Sequence, residues 1–79
     1  MTRDEARAAV IGLLTAHAEK SNEAFEAIWY TLDDGECTRV AAELVSLVSI
    51  QMRAYAKVHG TTFEQMLVDL GREIALDTP

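Results

Sequence analysis

The stretch that decides the fold is VAAELVSLVSIQM, residues 40–52. It contains neither Gly nor Pro, and Glu43 is its only charged residue. Its β-branched residues are compatible with a strand, but a segment of this length without turn residues is typical of a helix. Apolar side chains would then cover most of the circumference of that helix, which is typical of a central helix with neighbours on several sides. The stretch therefore predicts an all-α fold built around it.

The boundaries of this central helix follow from the residues around it. The sequence Asp33-Asp34-Gly35 interrupts the pattern, and we predict that the helix runs over 37–58. Gly60 lies where a left-handed residue ends a helix, and Thr61 or Thr62 can cap the next one. A last helix is predicted over 62–76, with an apolar stripe at Phe63, Met66, Leu67, Leu70 and Ile74.

The part of the chain before residue 33 permits two interpretations. Thr2 and Glu5 have the spacing of a capping box, so a first helix is predicted over 3–19. Ser21 and Asn22 favour a break, with a second helix over 22–32. An uninterrupted 3–4 spacing instead supports one continuous helix; it comprises Ile11, Leu14, Ala18, Ser21, Phe25, Ile28 and Leu32. The prediction is one domain over 1–79, a compact bundle of four helices, or three if the first two are continuous.

Charge and composition narrow the functional classes. The net charge is −6, from 13 acidic and 7 basic residues, and a surface of this sign repels nucleic acid on average. Cys37 is the only cysteine, so an intrachain disulfide is excluded and a reducing compartment is favoured. Acidic residues close to Met1 disfavour a signal peptide, and no apolar run approaches the ~20 residues of a membrane span. We expect a cytoplasmic protein without a membrane segment.

No residue pattern indicates catalysis. His17, Cys37 and His59 are scattered singly, whereas a zinc site requires four ligands in paired spacings. Cys37 lies near a predicted helix start, which favours a thiolate, but the neighbouring acidic residues oppose it. A bundle of this size is also expected to form barely any pocket. We therefore predict that the protein is not an enzyme and has no cofactor or metal.

The segment 54–72 resembles a helix–turn–helix corner, and the run from Met52 to Ile74 resembles the helical half of ribbon–helix–helix proteins. Gly60, Thr62 and Met66 match the turn, cap and core positions of that half. The resemblance implies a DNA-binding regulator, for which the basic residues would be Arg53, Lys57 and Arg72. The sequence departs from these patterns in two ways. The second helix of the corner, over 62–76, is acidic, with Glu64, Asp69 and Glu73, and no basic strand precedes the two helices.

The whole chain also resembles small Ala-rich helical proteins of actinobacteria and their phages. The features that carry this likeness are the Ala- and Leu-dense first helix, the Asp33-Asp34 break, and the segment from Arg53 through Gly60 to Glu64. The resemblance implies a four-helix fold and no activity.

The functional prediction rests on an excess of apolar surface. The central helix has more apolar circumference than short neighbours can cover, and a chain of this size gains stability by burying it. We predict a protein-interaction module that forms a homodimer through the central helix; a monomer with a filled core is the other interpretation. The predicted interaction residues are Leu44, Leu47, Val48 and Gln51 for the dimer, and Trp29 and Tyr30 for another protein. The alternative interpretation is that Trp29 belongs to the core and that Tyr30 is a lone surface aromatic.

Overall fold

The computed structural model describes residues 1–77 and confirms the all-α prediction. Its helices are α1 (Arg3–Ala18), α2 (Asn22–Trp29), α3 (Asp34–Val58) and α4 (Phe63–Asp77). Within the described residues there is no strand. The ends of α1 and α4 lie within one residue of the predicted positions.

α1 and α2 are separate helices, as the caps predicted. The backbone N–H of Glu5 donates to the Thr2 hydroxyl, and the N–H of Thr2 donates to the Glu5 carboxylate, which completes the capping box at the start of α1. After α1 the chain reverses at Lys20, which has a φ of 57°. The Ser21 hydroxyl then accepts from the N–H of Ala24 and begins α2. A left-handed residue followed by a new cap ends the first helix, although the 3–4 apolar spacing continues in the sequence.

Two predicted boundaries between α2 and α3 are wrong by three residues. α2 ends at Trp29 and not at Leu32, because Thr31 turns back and its hydroxyl donates to the carbonyl of Ile28. α3 begins at Asp34 and not at Cys37. The Asp33 carboxylate accepts from the N–H of Glu36, and the Glu36 carboxylate accepts from the N–H of Asp33. This capping box fixes Asp33 as the cap, so Gly35 lies inside the first turn of the helix.

The corner between α3 and α4 has the predicted chemistry. Gly60 adopts a φ of 66°, the left-handed conformation that glycine adopts without a steric penalty. The N–H of Thr61 donates to the carbonyl of Ala56, which closes the end of α3. The Thr62 hydroxyl accepts from the N–H of Gln65, so Thr62, and not Thr61, caps α4.

The chain divides into two units, and the first comprises residues 1–46. There α1 packs against α2 and against the first half of α3. The apolar core of this unit is small and consists of Ala6, Val10, Leu13, Ala16 and Val40. Gly12 marks a close approach, since a Cβ at that position would lie 2.9 Å from the Cδ1 of Ile28. α2 can therefore lie close to α1 at this point.

The second unit, which begins at Leu47, is a hairpin of the second half of α3 and α4. Among its described residues, Ala56 is the only buried one. In α4, Leu67 is 48% exposed and Leu70 47%. The expectation of a central helix covered on several sides is wrong for the single chain. The expected excess of apolar surface is present, because two adjacent helices can cover only one side of each other.

Candidate interaction surfaces

An apolar cleft opens on the first unit between α1, α2 and the first half of α3. Its volume is about 220 Å³. Its lining comprises Val10, Leu13, Leu14, His17, Phe25, Trp29, Val40, Ala41 and Leu44. The sequence predicted barely any pocket, and this open, almost entirely apolar cleft is the main departure from that expectation.

Helical spacing explains which side chains line the cleft. α1 contributes residues from Val10 to His17 and α2 contributes Phe25 and Trp29, each set at 3–4 spacing on one face. The rings of Phe25 and Trp29 stack with their centroids 6.4 Å apart, so they form one aromatic wall. Trp29 is nevertheless 40% exposed, so much of this wall is accessible to a binding partner.

The segment that contains α2 is strongly acidic in sequence. Residues 19–36 contain six acidic side chains and one basic side chain, Lys20. The acidic residues of this segment are Glu19, Glu23, Glu26, Asp33, Asp34 and Glu36. Glu26 precedes Trp29 by three positions and therefore lies beside it on the surface of α2. Glu23 lies on the other side of α2, and Asp33 and Glu36 line a separate groove together with Met1 and Arg39, so Glu26 is the acidic residue of α2 that helical spacing places beside the cleft.

A buried carboxylate ties α3 to the start of α1. Glu43 is only 6% exposed, and its Oε1 accepts a hydrogen bond from the Nε of Arg3 at 2.8 Å. The Nε of Arg7 lies 3.5 Å from the Glu43 Oε2, as an ion pair without a hydrogen bond. The hydrogen bond from Arg3 holds the pKa of Glu43 below its ordinary value of 4.5, against the opposing effect of burial. This cluster fixes how α3 packs on α1, and hence the two sides of the cleft.

The lowered pKa of Glu43 predicts a defined loss of stability in acid. Because the folded protein favours the ionised form, the stabilising effect is complete above pH 4.5 and is lost as the pH falls below 4.5. We expect Glu43→Gln to lower the melting temperature near neutral pH. The difference from the unmodified protein should then shrink as the pH falls below 4.5, which thermal unfolding followed by circular dichroism would measure.

The matched control for this experiment is Glu26→Gln, which removes the same charge from an exposed position on α2. We expect little change in its melting temperature near neutral pH, since exposed charges contribute little to stability. A constant difference between the unmodified protein and Glu43→Gln over the acid range would contradict the assigned ion pair.

A second apolar surface, here called the hairpin face, lies on the second unit. Gln51, Met52 and Tyr55 of α3 and Met66 of α4 lie together there, and helical spacing extends the face by one turn to Val48 and Leu70. A groove of about 360 Å³ runs along it and is lined by Gln51, Met52, Tyr55 and Met66. Val48 is 43% exposed and Tyr55 56%, so this side of the hairpin is apolar and open.

The structure divides the predicted interaction residues between these two surfaces. Leu44 and Trp29 line the cleft, and Tyr30 follows Trp29 at 77% exposure. Val48 and Gln51 lie on the hairpin face, while Leu47 is half-buried. The four residues predicted for the dimer therefore belong to both units, with Leu44 in the first and the other three in the second.

The candidate chemical residues are not assembled into a site. Cys37 is half-buried in the first turn of α3, and its backbone N–H donates to the carbonyl of Asp33. His17 lies in the cleft wall, whereas His59 stacks on Tyr55 at a centroid distance of 4.1 Å. Within residues 1–77, no group of three or more His, Cys, Asp or Glu side chains is placed to hold a metal ion. Over the same residues, no helix combines the length and the apolarity needed to cross a bilayer.

The corner that resembles a helix–turn–helix has one of its basic residues engaged within the hairpin. The guanidinium carbon of Arg53 lies 4.6 Å from the centroid of the Phe63 ring, a cation–π contact between α3 and α4. Gln65 donates to the Asp69 carboxylate along the exposed side of α4. Lys57 and Arg72 are exposed. The chain therefore turns from α3 into α4 at Gly60 with both basic and acidic side chains nearby, and the likeness to a helix–turn–helix stays a prediction.

Sequence reasoning missed the ion-pair cluster and the cleft. The signal for the cluster was the single charge of Glu43 within an apolar run, together with Arg3 and Arg7 four residues apart on α1. The signal for the cleft was weaker, because Leu13 and Leu14 both fit the apolar stripe of α1. Which of two adjacent leucines is buried depends on how the helices are placed, and not on spacing alone.

Comparison with known proteins does not test the resemblances drawn from the sequence. The likeness to Ala-rich proteins of actinobacteria and phages, and the likeness to DNA-binding corners, both stay predictions. No protein-family model, curated protein or solved structure matches this chain.

Proposed function

We propose that this protein is a small acidic interaction module that acts by binding and not by catalysis, and that it self-associates through the hairpin face. The proposal concerns α3 and α4 from Leu47 onward. Two such hairpins, related by a two-fold axis, would pack their apolar sides together as in a four-helix arrangement. Of the residues predicted for the dimer, Val48 and Gln51 lie at the centre of this contact.

The observation that carries the proposal is the nearly complete absence of a core in the second unit. Ala56 is its only buried residue among those described, although both helices carry large apolar side chains. Isolated helices in water are marginal, and most helical stability comes from packing of an apolar face. A second hairpin would supply that packing.

Charge supports a second copy as the occupant of the hairpin face. From Leu47 onward the sequence contains four acidic and three basic residues, so two hairpins repel each other little. Residues 1–46 contain nine acidic and four basic residues. Pairing through the first unit would bring two strongly acidic surfaces together, which is unfavourable.

The test is the mass of the purified protein in solution. We expect sedimentation equilibrium to give twice the 8.7 kDa of one chain at micromolar concentration, with dissociation on dilution. Circular dichroism over the same dilution should show helix content falling with the dimer, since the hairpin depends on its partner. A monomer of unchanged helix content at all concentrations would overturn the proposal.

DNA binding is the alternative proposal, and the corner at Gly60 is the observation that favours it. It would use Arg53, Lys57 and Arg72, with α4 as the recognition helix. Phosphate contacts would make the affinity fall steeply with added salt. Titration of a labelled random-sequence duplex, followed by fluorescence anisotropy at two salt concentrations, would detect it. Salt-sensitive binding that is lost in Lys57→Glu would favour this alternative over the interaction module.

A further inference from the structure

We infer that the first unit binds a small anionic amphiphile, a monocarboxylate whose apolar body occupies the cleft and whose carboxylate faces Lys20. The inference goes beyond the proposed self-association, because it concerns residues 1–46 and not the hairpin face. The two can therefore fail separately. Three observations identify the ligand: the apolar lining of the cleft, its volume, and a polar groove that adjoins it.

The lining and the volume of the cleft select a small ligand that is mostly hydrocarbon. Among the lining residues, His17 and Trp29 alone carry a polar side-chain group. An apolar cavity is poorly hydrated, and one of about 150 Å³ accommodates a molecule as large as benzene. The cleft, at about 220 Å³, therefore has room for an apolar body of roughly eight carbon atoms. It is smaller than the roughly 300–1,000 Å³ of pockets for larger ligands.

The polar groove adjoins the cleft at the turn between α1 and α2. Its volume is about 180 Å³. His17 and Phe25 line both the groove and the cleft, so the two spaces meet at these side chains. The other lining residues of the groove are Ala16, Lys20, Ser21 and Asn22. A ligand that fills the cleft can therefore extend its other end into a polar environment, which favours an amphiphile over a pure hydrocarbon.

The charge of the groove selects an anionic head group. Lys20 is the only Lys, Arg, Asp or Glu residue that lines either the groove or the cleft. Glu19 and Glu23, its nearest acidic neighbours in the sequence, line neither space. Within residues 1–77, no carboxylate forms an ion pair with the Lys20 ammonium group. This cation is therefore available to a carboxylate that enters the groove.

The groove also provides neutral donors for the head group. The Ser21 hydroxyl accepts from the N–H of Ala24, so its own O–H can still donate. The side-chain amide of Asn22 adds two N–H donors. Glu26 lies about 6 Å further along the axis of α2 than Asn22, and it lines neither space. Hydrogen bonds to an ionised acceptor are stronger than those between neutral groups, so these donors favour a carboxylate.

The sequence provides its own probe, because Trp29 is the only tryptophan, lines the cleft and is 40% exposed. The experiment titrates the full-length protein with octanoate, and separately with octylammonium, which has the same chain length and the opposite charge. Salt is kept at about 0.15 M, where distant charges are screened. We expect a saturable blue shift of the tryptophan emission with octanoate. Octylammonium should bind about tenfold more weakly, because Lys20 would repel its head group.

Substitution of Lys20 tests whether the head group lies in the groove. Lys20→Glu should weaken octanoate by about tenfold, since an attraction becomes a repulsion. The same substitution should leave the affinity for 1-octanol, which carries no charge, within about twofold. The matched control is Lys57→Glu, which makes the same change at an exposed position of the second unit. We expect this control to bind octanoate within about twofold of the unmodified protein.

Several results would overturn the inference. The absence of a saturable shift with octanoate would show that the cleft does not take such a ligand. Equal binding of octanoate and octylammonium, or equal weakening of octanoate by Lys20→Glu and Lys57→Glu, would remove the groove as the site of the head group. A shift of Trp29 that depends on protein concentration without ligand would assign the cleft to a second copy. The mass of the protein, measured independently, reports on the hairpin face.

Discussion

Val48→Glu is expected to convert the dimer to a monomer at concentrations where the unmodified protein is fully dimeric. Val48 lies on the hairpin face, 43% exposed in the single chain, and would be covered by the second hairpin. Burying a carboxylate among apolar side chains without a partner is strongly unfavourable. We expect the dissociation constant to rise by at least about 100-fold, which corresponds to roughly 3 kcal/mol. Sedimentation equilibrium would measure the change.

The matched control is Val68→Glu, which introduces the same side chain on α4. Val68 is 54% exposed, but the helical spacing places it about opposite Met66 and Leu70, away from the hairpin face. We expect Val68→Glu to leave the dimer intact. Equal loss of the dimer in both variants would argue against this surface.

A milder substitution keeps the test informative if Val48→Glu unfolds the hairpin. Tyr55→Ala removes a side chain that is 56% exposed in the single chain and introduces no charge. It also replaces tyrosine by a better helix former, so the helix itself should not weaken. We expect weaker dimerisation with the helix content retained at high concentration. An unchanged dissociation constant would show that Tyr55 lies outside the contact.

The fold was predictable to the extent that local chemistry determines it. Caps and breakers act within a few residues, so Thr2, Ser21, Gly60 and Thr62 marked helix ends correctly. The start of α3 was predicted three residues too late, because Asp33 and Glu36 form a capping box that keeps Gly35 inside the first turn of the helix. Propensity was misleading there, since one glycine in a first turn costs less than a capping box contributes.

Packing was much less predictable, and the surfaces depend on it. A broad apolar stripe on α3 indicated an excess of apolar surface but not which side would stay exposed. Val40 is buried and Val48 is not, although both belong to the same apolar run. The difference arises because α1 packs on the first half of α3, which contains Val40. The cleft likewise depends on the angle at which α2 leaves Lys20, and no local pattern encodes that angle.

Leu13→Ala is expected to destabilise the first unit by about 2–4 kcal/mol, the range for truncating a buried leucine. Leu13 is 8% exposed and is the largest apolar side chain in a core that otherwise consists of alanine and valine. The neighbouring core residues Ala6 and Ala16 have side chains too small to fill the space that the truncation would leave. For a domain of this length the loss is a large fraction of the total stability. Urea unfolding followed by circular dichroism would measure it.

Leu14→Ala is the matched comparison, one position further along the same helix. Leu14 is 49% exposed and lines the cleft, so its truncation should cost less than about 1 kcal/mol of stability. The two adjacent leucines thus differ in how deeply they are buried, at 8% and 49% exposure. Equal destabilisation by both substitutions would show that the cleft is closed in solution, because Leu14 would then be as deeply buried as Leu13.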